Sequence, residues 1–215
     1  MKHKVLLIGA GGHCKVVLDL LQQSKDYQAA GIIDKKTRVG EKVLGVPVAG
    51  TDADLLKFFK KGIKYCFIAV GSVGDPSLRA KLFDLGCKAG FSFPNLVHPK
   101  AIISSHASLG EGNYIAPGAI INAGARIGDH CIINTGVIIE HDCSVGDFVH
   151  IASGAVLSGN VSVGKNTHLG TGVSVIQGIK IGSNSVVGAG SVVVKDIASG
   201  VIAFGNPCKF IKKNG

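Results

Sequence analysis

The 215-residue chain has no tryptophan, and nowhere is a basic stripe interleaved with aromatics, which speaks against nucleic-acid binding. Paired cysteines are also missing. Cys14, Cys66, Cys87, Cys131, Cys143 and Cys208 form no C-x-x-C pair and lack the close spacing of a disulfide framework, so reduced core cysteines in a cytoplasmic protein are expected. No stretch approaches the roughly 20 apolar residues of a membrane span. The N-terminal run MKHKVLLIGAGG is broken by glycines and is too short for a secretion signal. A soluble protein is therefore expected, without membrane insertion. Acidic residues are in the minority, 14 against 23 basic, for a net charge of +9. Residues 1–96 hold 15 Lys/Arg against 8 Asp/Glu, and residues 97–215 hold the remaining 8 against 6. A basic front half suits a phosphorylated small molecule, although a solvated lysine-rich surface reads the same way.

What the chain does have is glycine, 31 in all, with abundant Ile and Val, a mixture that favours short strands and tight turns. The two parts of the sequence use this differently. KVLLIG (residues 4–9) reads as a buried strand, followed by a glycine loop and a helix whose Val16, Val17, Leu20 and Leu21 share one face. A second strand is expected at about 29–33, ending at Asp34, then a short amphipathic helix at 54–61 and a third strand at 65–70. Asp75-Pro76 reads as a helix start and Gly86 as its stop. Alternating strands and helices imply a small Rossmann-like parallel α/β sheet over residues 1–96, with its ligand site at the carboxyl ends of the strands.

From Val97 the period becomes six. Apolar residues recur at Val97, Ile103, Leu109, Ile115 and so on without a break to Val193, and the position four residues later is often small, as at Ala119, Ala125, Cys131 and Cys143. Such regularity signals a solenoid whose rungs cover one another. With Ile127-Gly128-Asp129, Val145-Gly146-Asp147 and Val163-Gly164-Lys165 as rungs, residues 97–215 resemble the hexapeptide-repeat acyltransferases, and the tail Gly205-Asn206-Pro207-Cys208-Lys209 is similar to that family's ending. The resemblance implies a left-handed parallel β-helix of three hexads per coil, assembled as a homotrimer.

Two constellations carry candidate chemistry. Glu140-His141-Asp142 sets a histidine between two carboxylates, a good arrangement for a general base because the acid fixes the tautomer and steadies the imidazolium. The triplet alone also reads as a polar surface turn. The loop Gly9-Ala10-Gly11-Gly12-His13-Cys14-Lys15 between strand and helix lets backbone approach a pyrophosphate, with Asp34 placed for a ribose or base. Cys14 stands where a dinucleotide fingerprint needs its third glycine, which argues against an NAD-binding oxidoreductase. A tight turn without a ligand is the plainer alternative. His98, His106, His130 and His168 have no adjacent acids and read as turn or surface residues, and no metal site is expected.

Both constellations resemble those of the nucleotide-amino-sugar N-acetyltransferases of the bacillosamine and perosamine pathways and their sialic acid O-acetyltransferase relatives. The resemblance implies His141 as base with Asp142 beside it. It implies contacts to acetyl-CoA, the co-substrate, from His150, Thr171 and the Gly159 N–H, which binds the acetyl carbonyl. It implies substrate contacts from Gly11, Gly12, His13, Asp34, Lys35, Gly71 and Asn134. The expected reaction is direct attack by the amine of a UDP-linked 4-amino sugar on the thioester, without a covalent enzyme intermediate. Cys143, at an inward small position, is expected to be core and not a nucleophile. Acetylation of a sugar hydroxyl and a purely regulatory nucleotide-binding module remain open beside it. His141 and His150 lie half an eighteen-residue coil apart, so a site using both draws them from different subunits.

Overall fold

In a computed structural model, which describes residues 1–214, the chain divides into two compact units. Met1–Gly71 and Ser77–Leu96 make the first; Ser72–Pro76 joins the residues from Val97 onward in the second.

The first unit is built on β1 (His3–Ile8), whose Val5 to Ile8 are buried and whose neighbours β2 (Tyr27–Ile33) and β5 (Tyr65–Ile68) both run parallel to it. Helix α1 (Gly12–Gln23) buries Cys14, Val17, Leu18, Leu20 and Leu21. Val16, expected on that face, is exposed, because Cys14 and Leu18 complete the i, i+3, i+4 stripe instead. Two strands escaped the sequence reading. β3 (Lys42–Val43) and β4 (Val46–Gly50) form an antiparallel hairpin, and β4 then pairs parallel with β2, giving the order β3-β4-β2-β1-β5. The sheet is thus mixed, with an antiparallel edge, and not purely parallel. Its turn uses Leu44-Gly45, both at positive φ, a geometry that Asn-Gly advertises far better than Leu-Gly.

Three boundaries also move. A 3₁₀ turn at Asp52–Asp54, closed by a Thr51/Asp54 capping box, precedes α2 (Leu55–Lys60). The third strand ends at Ile68. Helix α3 begins at Ser77, directly after Pro76, and runs through Gly86 to Lys88. Gly86 is no stop: a Cβ there would stand 2.5 Å from the Phe93 ring, so the glycine makes room for a core aromatic.

A two-residue strand recurs every six residues from β6 (Leu96–Val97), where the second unit begins, to β22 (Val192–Val193), each ending on the apolar residue of its hexad. Strands pair in parallel with a step of 18 residues, as in Ile121↔Ile139↔Leu157↔Val175↔Val193. Three sheets result, one per face of a coil, and the β-helix fold that the resemblance implies is what the chain adopts. The interior is a ladder of fully buried Ile, Val and Leu with Ala125, Cys131, Cys143 and Ala155 at the tight positions. Each large side chain so buried contributes about 1.5–3 kcal/mol. The recurrent Gly after the apolar residue has a steric cause: a Cβ on Gly146 would meet the Lys165 backbone nitrogen at 2.7 Å, one coil on. The chain closes with a hairpin of β23 (Val201–Gly205) and β24 (Cys208–Lys213).

None of the six cysteines forms a disulfide, but Cys87 is exposed and Cys208 half-exposed, so these two depart from the expected core role. Among the histidines read as surface residues, only His106 is exposed; His98, His130 and His168 are buried. Among the described residues no helix is long and apolar enough to cross a membrane.

Candidate active site

His141 and Asp142 occupy the turn between β13 (Ile138–Ile139) and β14 (Ser144–Val145), where the coil passes from one face to the next. Asp142 takes a left-handed backbone conformation, φ 60°, in a column of turn positions where glycine or asparagine is frequent. Its N–H donates to the Ala123 carbonyl of the preceding coil, and the Asn160 N–H donates to the His141 carbonyl from the following one. The turn is therefore fixed from above and below. With the backbone held, His141 Nδ1 meets Asp142 Oδ2 at 2.9 Å, both side chains more than half exposed. An Nδ1 proton donated to the carboxylate leaves the Nε2 lone pair open to accept a proton. Glu140, the other flanking acid, accepts instead from the Asn122 side chain at 3.0 Å and does not meet the imidazole.

Gly159 lies one coil on, buried, and a Cβ built there would stand 2.5 Å from His141 Nε2. Its carbonyl accepts the Gly178 N–H, while its own N–H makes no hydrogen bond among the described residues. An imidazole nitrogen and an unused amide donor thus share one corner. Cys143, next in the chain, is fully buried and its thiol donates to the Ser158 carbonyl at 3.2 Å. Burial pushes that thiol up, and the Glu140 and Asp142 carboxylates add to the effect, so it stays protonated and inward.

A second centre sits on another face of the coil. His150 on β15 (His150–Ile151) and His168 on β18 (His168–Leu169) are directly paired neighbours in adjacent coils. With Asn134, Thr171 and Val73 they line a cleft of about 420 Å³. His150 Nδ1 donates to the Ser72 carbonyl at 2.5 Å, and the two imidazoles stand edge to face, 4.8 Å between centroids. Asn134, expected as a substrate contact, lines the same cleft as His150 and Thr171. Sequence reasoning missed His168, although 150 and 168 differ by one eighteen-residue coil.

The glycine loop of the first unit forms a third centre. Gly11 caps α1 with no side-chain hydrogen bond, and nothing lies within 4 Å of a Cβ built on Gly11 or Gly12. Gly71 approaches the half-buried His13, with its built Cβ 3.6 Å from the histidine Cβ. Asp34 is less free than expected: Oδ2 accepts the Ala10 N–H at 2.5 Å and Oδ1 the Lys35 N–H at 2.6 Å. Arg38, absent from the sequence reading, donates to the Ala10 carbonyl at 2.8 Å, approaches Asp34 at 3.7 Å and binds Glu41. Glu41 holds the Arg38 guanidinium above its ordinary value, mainly through that hydrogen bond. Ala10 is clamped at both its polar groups. Because a trans peptide is planar, pinning the Ala10 carbonyl toward Arg38 aims the Gly11 N–H the opposite way. No group of three His, Cys, Asp or Glu able to hold a metal occurs among the described residues.

Comparison with known proteins finds three family models along the chain. Residues 4–85 match the PglD N-terminal domain, residues 124–159 the bacterial transferase hexapeptide (six repeats), and residues 160–195 the hexapeptide repeat of succinyl-transferase. A variant of perosamine N-acetyltransferase from Caulobacter crescentus, solved with CoA and GDP-perosamine, is 41% identical. It superposes with a TM-score of 0.92 over 98% of this chain and 97% of its own. The chain belongs to the hexapeptide-repeat N-acetyltransferases of nucleotide-linked amino sugars. Within this family, the acetyltransferase domain of PglB from Neisseria gonorrhoeae, solved with acetyl coenzyme A, is 36% identical. Its TM-score is 0.88 over 98% of this chain and 100% of that one. UDP-N-acetylbacillosamine N-acetyltransferase of Bacillus subtilis is 41% identical over 112 residues, which is 50% of this chain and 49% of that relative. The match thus spans about half the length of that curated relative.

Proposed function

We propose that this protein transfers the acetyl group of acetyl-CoA to the amino group of a UDP-linked 4-amino sugar, with His141 as general base. The observation that carries the reading is the His141 corner: Nδ1 tied to Asp142 at 2.9 Å, Nε2 open, and the Gly159 amide beside it. The amine nitrogen attacks the thioester carbonyl, forming the new N–C bond, while Nε2 takes a proton from nitrogen. Asp142 steadies the imidazolium. The Gly159 N–H donates to the carbonyl oxygen as it gains charge, the kind of donor whose removal costs about 10²–10³-fold in rate. Collapse of the tetrahedral species expels the CoA sulfur, which receives a proton, and releases the amide.

Residues 1–96 supply the nucleotide-sugar site, with the Gly11 and Gly12 amides toward the diphosphate at the amino end of α1. His13, Asp34, Lys35 and Gly71 surround that loop; the Asp34 carboxylate contributes by holding Ala10 as well as by facing the nucleotide. Residues 97–215 supply the acetyl-CoA site through the cleft of His150 and Thr171, with Asn134 on its wall. The His141 corner and that cleft belong to different faces of the coil, which supports a homotrimer in which the base of one subunit serves the cleft of its neighbour. Six cysteines without a disulfide suit a reducing cytoplasm.

The test is incubation of enzyme and acetyl-CoA with UDP-linked and GDP-linked 4-amino sugars, followed by mass spectrometry and hydroxylamine treatment. One acetyl group retained as a hydroxylamine-stable amide on the UDP-linked sugar supports the reading. A labile ester indicates O-acetylation, preference for GDP-linked sugar corrects the base, and no transfer to any sugar refutes the assignment.

A further inference from the structure

His168 reads from the sequence as a turn or surface residue, yet it is only 8% exposed and lines the cleft with His150 and Thr171. Its Nδ1 is buried and has no hydrogen-bond partner among the described residues. The other ring nitrogen is not sealed in this way, so the edge of the imidazole that meets the cleft is Nε2. A proton on Nδ1 would bury an N–H with no acceptor in reach, whereas on Nε2 the same proton meets solvent or a ligand. The geometry points to His168 as a neutral hydrogen-bond donor, through Nε2–H, to a carbonyl oxygen on the pantetheine arm of acetyl-CoA.

Three observations converge on this role, which rests on the acetyl-CoA reading of the cleft. The ring is locked: its backbone N–H is bonded to the Ser185 carbonyl in the next coil, and its side chain packs edge to face on His150 at 4.8 Å. His150 is itself tied to the Ser72 carbonyl, so the pair has little freedom to turn away. Burial, and secondarily the neighbouring His150, depresses the His168 imidazole from 6.5 to about 4, which keeps it uncharged at neutral pH. A neutral donor suits an amide or thioester carbonyl, whereas the phosphates of coenzyme A would be served by a cation. The cleft wall around it combines the small apolar Ala152, Gly170 and Val187 with the polar Asn134, Ser153 and Thr171, leaving room for an extended chain beside the donor.

The experiment compares the full-length protein with His168→Phe and His168→Gln. Phenylalanine keeps the edge-to-face contact and removes the donor; glutamine restores a donor. Calorimetry with CoA and steady-state kinetics with acetyl-CoA are the readouts, both with the amino sugar that the wild type accepts. His168→Phe is expected to weaken CoA binding and raise KM for acetyl-CoA about fivefold, the usual worth of one neutral hydrogen bond. KM for the nucleotide sugar stays unchanged, and His168→Gln stays within about twofold of wild type. An unchanged acetyl-CoA KM in a folded His168→Phe overturns the inference. Should that variant not fold, nitrogen-15 imidazole spectra of the wild type decide: an Nε2–H signal that moves on adding CoA supports the role. An Nδ1–H tautomer, or no response to CoA, overturns it. If the wild type itself neither binds CoA nor turns over acetyl-CoA, the proposed function fails first, which separates the two outcomes.

Discussion

As the proposed base, His141 has one side-chain partner, the Asp142 carboxylate at 2.9 Å, and its freedom rests on the absence of a side chain on Gly159. A methyl group there would stand 2.5 Å from Nε2. Gly159→Ala is therefore expected to displace the imidazole and lower kcat by about 10²-fold, the scale of a lost acid–base contribution, with the fold kept; circular dichroism and initial rates check both. At the loop, Gly11 faces open space now, but its amide is the one that Arg38 aims through the Ala10 carbonyl. Gly11→Val should raise KM for the nucleotide sugar well above that for acetyl-CoA, because a branched side chain blocks approach to the diphosphate. Equal changes in both constants would count against the loop assignment. The sequence displayed the Glu140-His141-Asp142 triplet and the glycines because both are local patterns. It hid which acid pairs with the histidine, since only the folded turn sends Asp142 to His141 and Glu140 to Asn122. Arg38 was hidden for the same reason: its partner Ala10 lies 28 residues away in sequence.

Among the elements, the solenoid was the most legible, because one rule acts at every rung: an apolar residue each sixth position and glycine where coils touch. Each rung then pairs with those 18 residues before and after it, so errors of register have nowhere to accumulate. The first unit was harder. Its β3–β4 hairpin is held by pairing to β2 and turns on Leu44-Gly45, a signal too faint to read locally, while Gly86 looked like a terminus until its contact with Phe93 was visible. Burial of His168 within the β15–β18 pair has a thermodynamic consequence. The folded imidazole titrates at about 4 in place of 6.5, so the unfolded chain binds the proton more readily between those values. Stability contributed by this group is present above about pH 6.5 and is lost as pH falls toward 4, up to about 3 kcal/mol in all. Chemical denaturation of the wild type and His168→Phe from pH 7 to pH 4 should show a smaller acid loss in the variant. Identical slopes would contradict the shift.

At the scale of the molecule, one coil presents His141 at one corner and the histidine cleft on another face, and the proposed chemistry needs both. Scattering should therefore report a trimer. Inactive His141→Ala and inactive His150→Ala proteins, co-refolded, should regain activity, because mixed trimers contain interfaces where an intact His141 meets an intact His150. No recovery would place both residues in one chain's own site. The same chemistry narrows to one residue when the reaction itself is followed. Steady-state acetyl transfer by His141→Ala, with both substrates varied, is the most direct measurement. The expected result is a kcat lowered by about 10²–10⁴-fold with both substrates still bound nearly as well, because the lost interaction strengthens only in the transition state. A variant that retains most of its kcat at neutral pH would contradict the assignment of His141 as the base.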